Sequence, residues 1–177
     1  MRILKFLSTT GSLVVIFSVF LVSKSCSVTG PLRQDKGATS FQLGIVPAQW
    51  KAQEISEDSE VQAQRFYLVS GSGAWVSFNS VCDRYPDSTL ESLSKQLLAP
   101  LAGATVTRRE EKLADSRNSL WTHAQGKIDG VPVSAIFVVL RKNSCIFDFT
   151  LTSKNKILSQ DESDFGQWVS AFKYSGR

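Results

Sequence analysis

Residues 131–152 constrain the fold more than any other stretch, because they contain two apolar runs separated by the polar residues 141–144. The first run is apolar on both faces of a strand: one face has Val133, Ala135, Phe137 and Val139, and the other has Ile136, Val138 and Leu140. Such a strand must be covered on both faces, so we expect it in the middle of a sheet.

The second run has an apolar and a more polar face. The apolar face has Cys145, Phe147, Phe149 and Leu151, and the other has Ile146, Asp148, Thr150 and Thr152. With a turn at Asn143 and Ser144, the two runs predict a hairpin around which the other strands and helices assemble.

Weaker patterns predict the neighbouring elements. Strands are expected at residues 41–45, 65–70, 74–82, 105–113 and 120–128, with turns at residues 71–73 and 129–130. Residues 105–113 carry five consecutive charges, which indicates an outer strand protected from edge pairing. Two S-x-x-E capping boxes, at Ser88 and Ser159, predict the starts of two amphipathic helices.

The predicted order is β-β-β-α-β-β-β-β-α, in which most strands are joined by hairpins. Hairpin connections favour an antiparallel sheet, and the apolar helix faces need a sheet to cover. The chain is therefore expected to be α+β, with an antiparallel β-sheet covered by helices in an α/β/α sandwich.

Residues 1–25 have the layout of a signal peptide. Arg2 and Lys5 precede an apolar run at residues 13–22, and the small residues Ser23 and Ser25 follow it. An uncleaved transmembrane anchor is the alternative, but the run is shorter than the roughly 20 apolar residues that a spanning helix needs. We therefore expect an exported protein.

Cys26 follows the apolar run directly, as in a bacterial lipoprotein signal, which this region resembles. Ser25 and Cys26 match the lipobox, whereas Ser23 replaces the usual leucine and Lys24 departs from the pattern. The resemblance implies lipidation of Cys26 and membrane anchoring, and Ser27, which is not Asp, implies the bacterial outer membrane. Ordinary signal peptidase could cut at the same bond.

Residues 26–40 are predicted to be a lipidated N-terminus and flexible tether, because residues 27–40 are rich in Ser, Thr, Gly, Pro and charge. Residues 41–177 then form a single domain. Most of the formal charge of +4 belongs to the leader, since the chain from Cys26 onward has 17 basic and 16 acidic residues. We therefore expect no nucleic-acid partner.

The chain has three cysteines, which is an odd number for an exported protein. If Cys26 carries lipid, Cys82 and Cys145 remain, and a disulfide between them is expected in an oxidising compartment. Two separate buried thiols are the alternative.

Candidate chemistry is sparse. His123 is the only histidine, and neither a G-x-S-x-G elbow nor a phosphate-binding loop accompanies it. A packed or surface role is expected for it, with no catalytic site, metal or cofactor. The acidic residues 54–60 lack a calcium-loop pattern. Asp148 could be an inward carboxylate, and such groups can mark sites, although they more often cap a backbone group or pair with a nearby Arg or Lys.

The opening Phe41-x-Leu43-x-Ile45-x-Pro47-x-x-Trp50 resembles the F-x-I-x-x-P-x-x-W opening of PsbP-like proteins, which has one residue fewer before the proline. The closing helix from Phe165 to Phe172 is also similar, so the resemblance covers residues 41–174. It implies an α/β/α sandwich used in assembly or docking, here on a small exported lipoprotein.

Two classes of function follow. The first is a non-enzymatic envelope module that docks or helps to assemble a protein partner at the membrane surface. The second is a small-ligand-binding protein or hydrolase-like enzyme with a pocket between helix and sheet. An exposed aromatic patch would favour the first, and a deep apolar pocket with convergent polar groups would favour the second.

Overall fold

A computed structural model of the chain describes residues 31–36, 39–53, 66–69, 71–83, 87–154 and 156–175. In chain order, these residues form β1 (Pro31–Lys36), β2 (Thr39–Ile45), β3 (Lys51–Gln53), β4 (Phe66–Val69), β5 (Trp75–Cys82), α1 (Leu90–Leu98), β6 (Ala102–Ala114), β7 (Arg117–Ile128), β8 (Val131–Lys142), β9 (Cys145–Lys154), α2 (Ser159–Ser170) and β10 (Lys173–Tyr174).

The main sheet is antiparallel, with the strand order β3-β4-β5-β9-β8-β7-β6. A smaller antiparallel sheet has the order β1-β2-β10. Together with the two helices, these sheets confirm the predicted α+β class. The strand β8, apolar on both faces, pairs with β7 and β9 inside the main sheet, as its sequence predicts.

One face of the main sheet packs against α2 and the small sheet. Its aromatic side chains form a contiguous core: the ring centroids of Phe78 and Phe149 are 4.9 Å apart, and those of Phe147 and Phe172 are 4.8 Å apart. Trp168 of α2 packs edge-on against Phe149 at 5.6 Å. Phe41 and Leu43 bring β2 into the same cluster, so the aromatic part of this face is buried.

The opposite face is covered by α1 over β7 and β8. Leu93 of α1 packs with Val139 and Ile146, and the helix end packs near Phe137. The buried Ser94 hydroxyl forms a 2.8 Å hydrogen bond with the Thr122 hydroxyl of β7. The helix therefore lies mainly over β7 and β8. The β5–β9 pair lies to one side of the helix on the same face of the sheet.

Both predicted capping boxes are wrong. The N-cap of α1 is Thr89, one residue later than Ser88, and its hydroxyl accepts a hydrogen bond from the Ser92 N–H at 3.1 Å. The N-cap of α2 is Leu158, which has no capping side chain. With Leu158 as the N-cap, Glu162 lies one position past the third helical residue, and its carboxylate contacts the Arg108 guanidinium at 2.8 Å instead.

The folded part of the chain begins earlier than predicted. Residues 27–40 are expected to be a tether, whereas β1 occupies Pro31–Lys36 and pairs with β2 from Thr39 onward. The tether prediction relied on missing apolar periodicity, but backbone pairing with β2 needs no apolar side chains. The short strands β3 and β10 were missed for the same reason.

The turns and the sheet edge agree with the sequence. Asp129 and Gly130 have φ values of 50° and 80°, and Asn143 has a φ of 56°, as tight hairpin turns require. The charged strand β6 pairs only with β7 among the described strands and forms one edge of the main sheet. This confirms the predicted outer strand.

A disulfide joins Cys82 at the end of β5 to Cys145 at the start of β9. The two residues lie directly opposite one another in the β5–β9 pair, with Cα atoms 3.9 Å apart. Cys145 belongs to the aromatic core and Cys82 packs against it, so both side chains point into the core layer that their strand positions predict.

Several predictions lie outside the described residues: the signal peptide, lipidation of Cys26, the role of Ser27 and the acidic segment 54–60. Within the described part of the chain, neither helix is long and apolar enough to cross a membrane.

Candidate functional site

Four polar residues lie together on the β5–β9 pair. They are on the sheet face that α1 packs against, to one side of that helix. Ser77 faces Thr150 and Asn79 faces Asp148 across the β5–β9 pair, and all four side chains are half-buried. We call these four residues the polar strip. Trp75, one position further along the same face of β5, is also half-buried and packs against the Phe137 cluster.

Asp148 is the only acid of the polar strip. Burial raises the pKa of its carboxyl from 3.8 to about 6, and a hydrogen bond from the Asn79 side chain opposes this rise. In the described part of the chain, no lysine or arginine forms an ion pair with Asp148. The pairing with Arg or Lys that is common for such residues is therefore not made. Its neighbours Phe147 and Phe149 point to the other face of the sheet.

The Asn79 side chain adds a second acceptor to the polar strip. Its Oδ1 atom is buried and has no hydrogen-bond partner among the described residues. Leaving such an atom unpaired costs roughly 1–3 kcal/mol. The strip thus offers a carboxylate and an amide oxygen, beside a tryptophan ring, to a group that can donate hydrogen bonds.

His123 lies elsewhere, on the α2 face near the β6 edge. Its Nε2 is 2.7 Å from an Arg108 nitrogen and 3.7 Å from a Glu110 oxygen. An arginine can only donate, so Nε2 accepts the bond and the imidazole is neutral. Burial and then the Arg108 charge lower the pKa of His123. Among the described residues, no three His, Cys, Asp or Glu side chains are grouped so that they could hold a metal ion.

Sequence reasoning missed two buried acids in α2. The Asp161 carboxylate accepts a 2.6 Å hydrogen bond from the Ser72 hydroxyl, and Asp164 accepts bonds from Gln49 and from the Trp50 indole. Asp161 and Asp164 lie on the same helix face as Phe165 and Trp168. Their spacing from these apolar residues could have identified both acids as buried from the sequence. Because both carboxylates are bonded to loop side chains, they tie α2 to the fold.

A cleft opens where the β6–β7 turn meets the start of α1. Its volume is about 520 Å³, and its lining residues are Ser88, Leu90, Ser116, Arg117, Asn118 and Arg141. We call it the arginine cleft. It lies between helix and sheet, as the second class of function expects, but its walls are mainly polar rather than apolar.

Where the structure describes the side chains, the exposed large apolar ones are all aliphatic: Ile45, Val106, Leu113, Val131 and Leu158. An exposed aromatic patch, which would have favoured docking, is not found among the residues whose side chains the structure describes.

Comparison with known proteins identifies solved structures of the same fold but no matching sequence or family model. No protein-family model and no curated protein sequence matches the chain. Among solved structures, cyanobacterial PsbP from Synechocystis is similar with a TM-score of 0.55 and 12% identity, over 85% of this chain and 95% of that one.

Two other solved structures have the same arrangement. LpqN of Mycobacterium tuberculosis, described as involved in cell envelope biogenesis, matches with a TM-score of 0.56 and 12% identity, over 82% of this chain and 91% of that one. A Pseudomonas aeruginosa protein of unknown function matches with a TM-score of 0.52 and 14% identity, over 70% and 95%. The chain therefore has the PsbP-like α+β fold.

Proposed function

We propose that this chain is a non-enzymatic envelope lipoprotein, anchored through Cys26, whose PsbP-like domain docks a protein partner at the membrane surface. The leader supports export and anchoring. The similar fold of LpqN, a protein of envelope biogenesis, supports an envelope setting. The observation that carries the docking role is the polar strip.

The strip is an unusual place for a carboxylate. Asp148 is held among half-buried neighbours, with no ion-pair partner among the residues that the structure describes, and burial raises its pKa to about 6. Such a group lowers the stability of the isolated domain at neutral pH. A carboxylate in this setting is typical of binding sites, where binding of the partner offsets the loss of folding stability.

The chemistry of the strip favours a partner segment with a lysine or arginine. Asp148 supplies a negative charge, and the Asn79 Oδ1 atom needs a donor. The half-buried face of Trp75 can pack against the aliphatic stem of such a side chain or stack on its charge. A basic side chain would satisfy all three groups at once.

Site-specific cross-linking tests this proposal. A photo-reactive phenylalanine at Ser77, inside the strip, is introduced into the full chain in its own cell envelope. We expect a covalent adduct with one protein, at a peptide that contains Lys or Arg. The same probe at Thr105, on the exposed β6 edge, is the positional control.

The variant Asp148→Asn removes the charge and keeps the shape of the side chain. Losing a charged hydrogen bond costs about 1.5–3 kcal/mol, so the adduct yield should fall about tenfold or more. Asp129→Asn, the same change in an exposed turn that tolerates Asn, should leave the yield unchanged. An undiminished adduct in Asp148→Asn would contradict docking on the strip.

The arginine cleft favours the second class of function, binding of a small ligand. It contains none of the residues of the polar strip, so the two roles can be tested separately.

A further inference from the structure

The edge strand β6 is the longest strand of the main sheet, and no other described strand pairs with its outer side. It runs from Ala102 to Ala114 and pairs with β7. From residue 102 to residue 113 it is exposed, except for the half-buried Glu110. The edge of a sheet presents backbone N–H and C=O groups with which a further strand can pair.

Charges on an edge discourage indiscriminate pairing, but on β6 both signs alternate along each face. Glu110 lies opposite Trp121 of β7, and the Trp121 ring packs against Phe165 of α2. The face of β6 toward α2 therefore has positive, negative and positive side chains in turn, at Arg108, Glu110 and Lys112. The other face has Arg109, Glu111 and Leu113. An alternating pattern of this kind can complement its own copy.

One register of two antiparallel β6 strands brings opposite charges together. With Glu111 on the two-fold axis, Glu110 of each copy lies directly opposite Lys112 of the other, on the same face of the sheet. The two Glu111 side chains meet at the axis, but each has Arg109 of the other copy diagonally beside it. This register uses residues 108–114, which lie beyond the irregularity of the β6–β7 pair between Val106 and Arg108.

The same register covers an exposed apolar side chain. Leu113 is 72% exposed, more than any other exposed large apolar residue whose side chain the structure describes. Across the two-fold axis it lies opposite Arg109 of the second copy, and the aliphatic stem of an arginine can pack on a leucine. Pairing therefore removes apolar surface from water as well as matching charges.

We propose that β6 pairs with β6 of a second copy of this chain, antiparallel and centred on Glu111, to form one continuous sheet. A contact of seven residues on each strand is small, so the pair should be weak in dilute solution and form where the chains are concentrated. The polar strip on β5 and β9 stays free, because three strands separate β9 from the second copy.

The symmetry of the pair suits two chains held in one membrane. The two-fold axis is normal to the sheet, so the α2 faces of both copies are on the same side. The small sheet that contains β1 packs on that face, so both N-termini enter from that side. This support rests on the proposed anchoring at Cys26, whereas the pairing itself needs only β6.

Cysteine cross-linking in membranes of the native cell envelope tests the pairing and its register. Opposite Cα atoms of antiparallel strands are about 4.5–5.5 Å apart, within the roughly 7 Å that a disulfide can join. The full chain with Glu111→Cys should therefore give a disulfide-linked dimer on mild oxidation, seen by non-reducing electrophoresis. Arg109→Cys should not, since residue 109 lies about 13 Å from its own copy. The parent chain is the control for the natural cysteines.

Charge exchange tests the complementarity. In the Glu111→Cys chain, the added change Lys112→Glu places like charges opposite one another at both symmetric positions, so the dimer yield at limiting oxidation should fall about tenfold. The further change Glu110→Lys exchanges the signs and should restore most of the yield. Lys127→Glu, the same charge change on an exposed residue of β7 outside the paired segment, should leave the yield unchanged.

Two results would overturn the proposal. One is the absence of a dimer from Glu111→Cys in membranes. The other is an equal yield from Arg109→Cys and Glu111→Cys, which would mean that the thiols meet by random collision rather than in this register. Neither result bears on docking at the polar strip, which lies on other strands, or on anchoring through Cys26, which membrane fractionation measures.

Discussion

Asp148 is a residue whose charge opposes folding. The pKa of its carboxyl rises from 3.8 to about 6 in the folded chain, so between these values the folded state binds more protons than the unfolded state. The free energy of unfolding should therefore fall as the pH rises through this range, by on the order of 3 kcal/mol at most, and stay lower above it.

The variant Asp148→Asn should remove this dependence. At pH 7.5 we expect it to be more stable than the parent by about 1–3 kcal/mol, because no charge is buried and the new amide can donate to the Asn79 Oδ1 atom. Urea unfolding at pH 4 and 7.5 measures the difference. A variant that keeps the parent's pH dependence would show that another group causes it.

The disulfide is the next residue-scale feature. Cys82→Ala and Cys145→Ala should each destabilise the chain by similar amounts, up to about 4 kcal/mol for a closed loop of this length. The double variant should cost little more than either single change, since one bond is lost in all three. Two alkylatable thiols in the unreduced, denatured chain, detected by intact mass, would contradict the bond.

His123 is expected to be dispensable. It accepts one hydrogen bond from Arg108, and the Oε1 atom of a glutamine can accept a similar one, so His123→Gln should change stability by less than about 1.5 kcal/mol at pH 7.5. Because the pKa of His123 is lowered in the folded chain, the parent should lose stability below about pH 6.5, and the variant should lose less. Loss of an envelope phenotype at unchanged stability would instead indicate a functional role.

At the scale of elements, the two helices begin differently. Thr89 caps α1 with its hydroxyl, whereas Leu158 leaves α2 without a side-chain cap and is itself 52% exposed. We expect Thr89→Ala to destabilise the chain by about 1 kcal/mol and Leu158→Ser to stabilise it by a similar amount. Thermal or urea unfolding gives both values, and equal behaviour of the two variants would contradict the cap assignment.

Elements with strong local patterns were predictable from sequence. Strands β8 and β9 and the helix α2 have apolar positions at the period of their structure, so their faces could be assigned. Strands β1 and β10 have few apolar positions and form by pairing with β2. Because pairing partners are distant in sequence, local periodicity does not reveal them.

The same distinction applies to the candidate sites. Asp148 was visible as an acid on the polar face of a strand, but its contact with Asn79 depends on the register of β5 against β9. The arginine cleft depends on a turn, a strand end and a helix start that meet only in the folded chain. Sequence reasoning found single residues, and the fold determines which of them act together.

At the scale of the whole molecule, the leader predicts where the domain is held. Cys26→Ala should shift the mature protein from the membrane to the non-membrane exported fraction, because the acyl chains that bind the bilayer are lost. Ser27→Ala, which keeps the cysteine, should stay with the membrane. Fractionation and immunoblotting measure the shift, and an equally membrane-bound Cys26→Ala would show that lipid at Cys26 is not the anchor.

The position of β1 also limits how far an anchored domain can lie from the membrane and determines which side of the domain faces it. Only residues 27–30 separate Cys26 from Pro31, and the five residue steps between these two positions reach at most roughly 18 Å. The small sheet that contains β1 packs on the α2 face, whereas the polar strip lies on the opposite face. A lipid at Cys26 would therefore hold the α2 side against the bilayer and turn the strip outward, toward proteins that approach from the aqueous compartment.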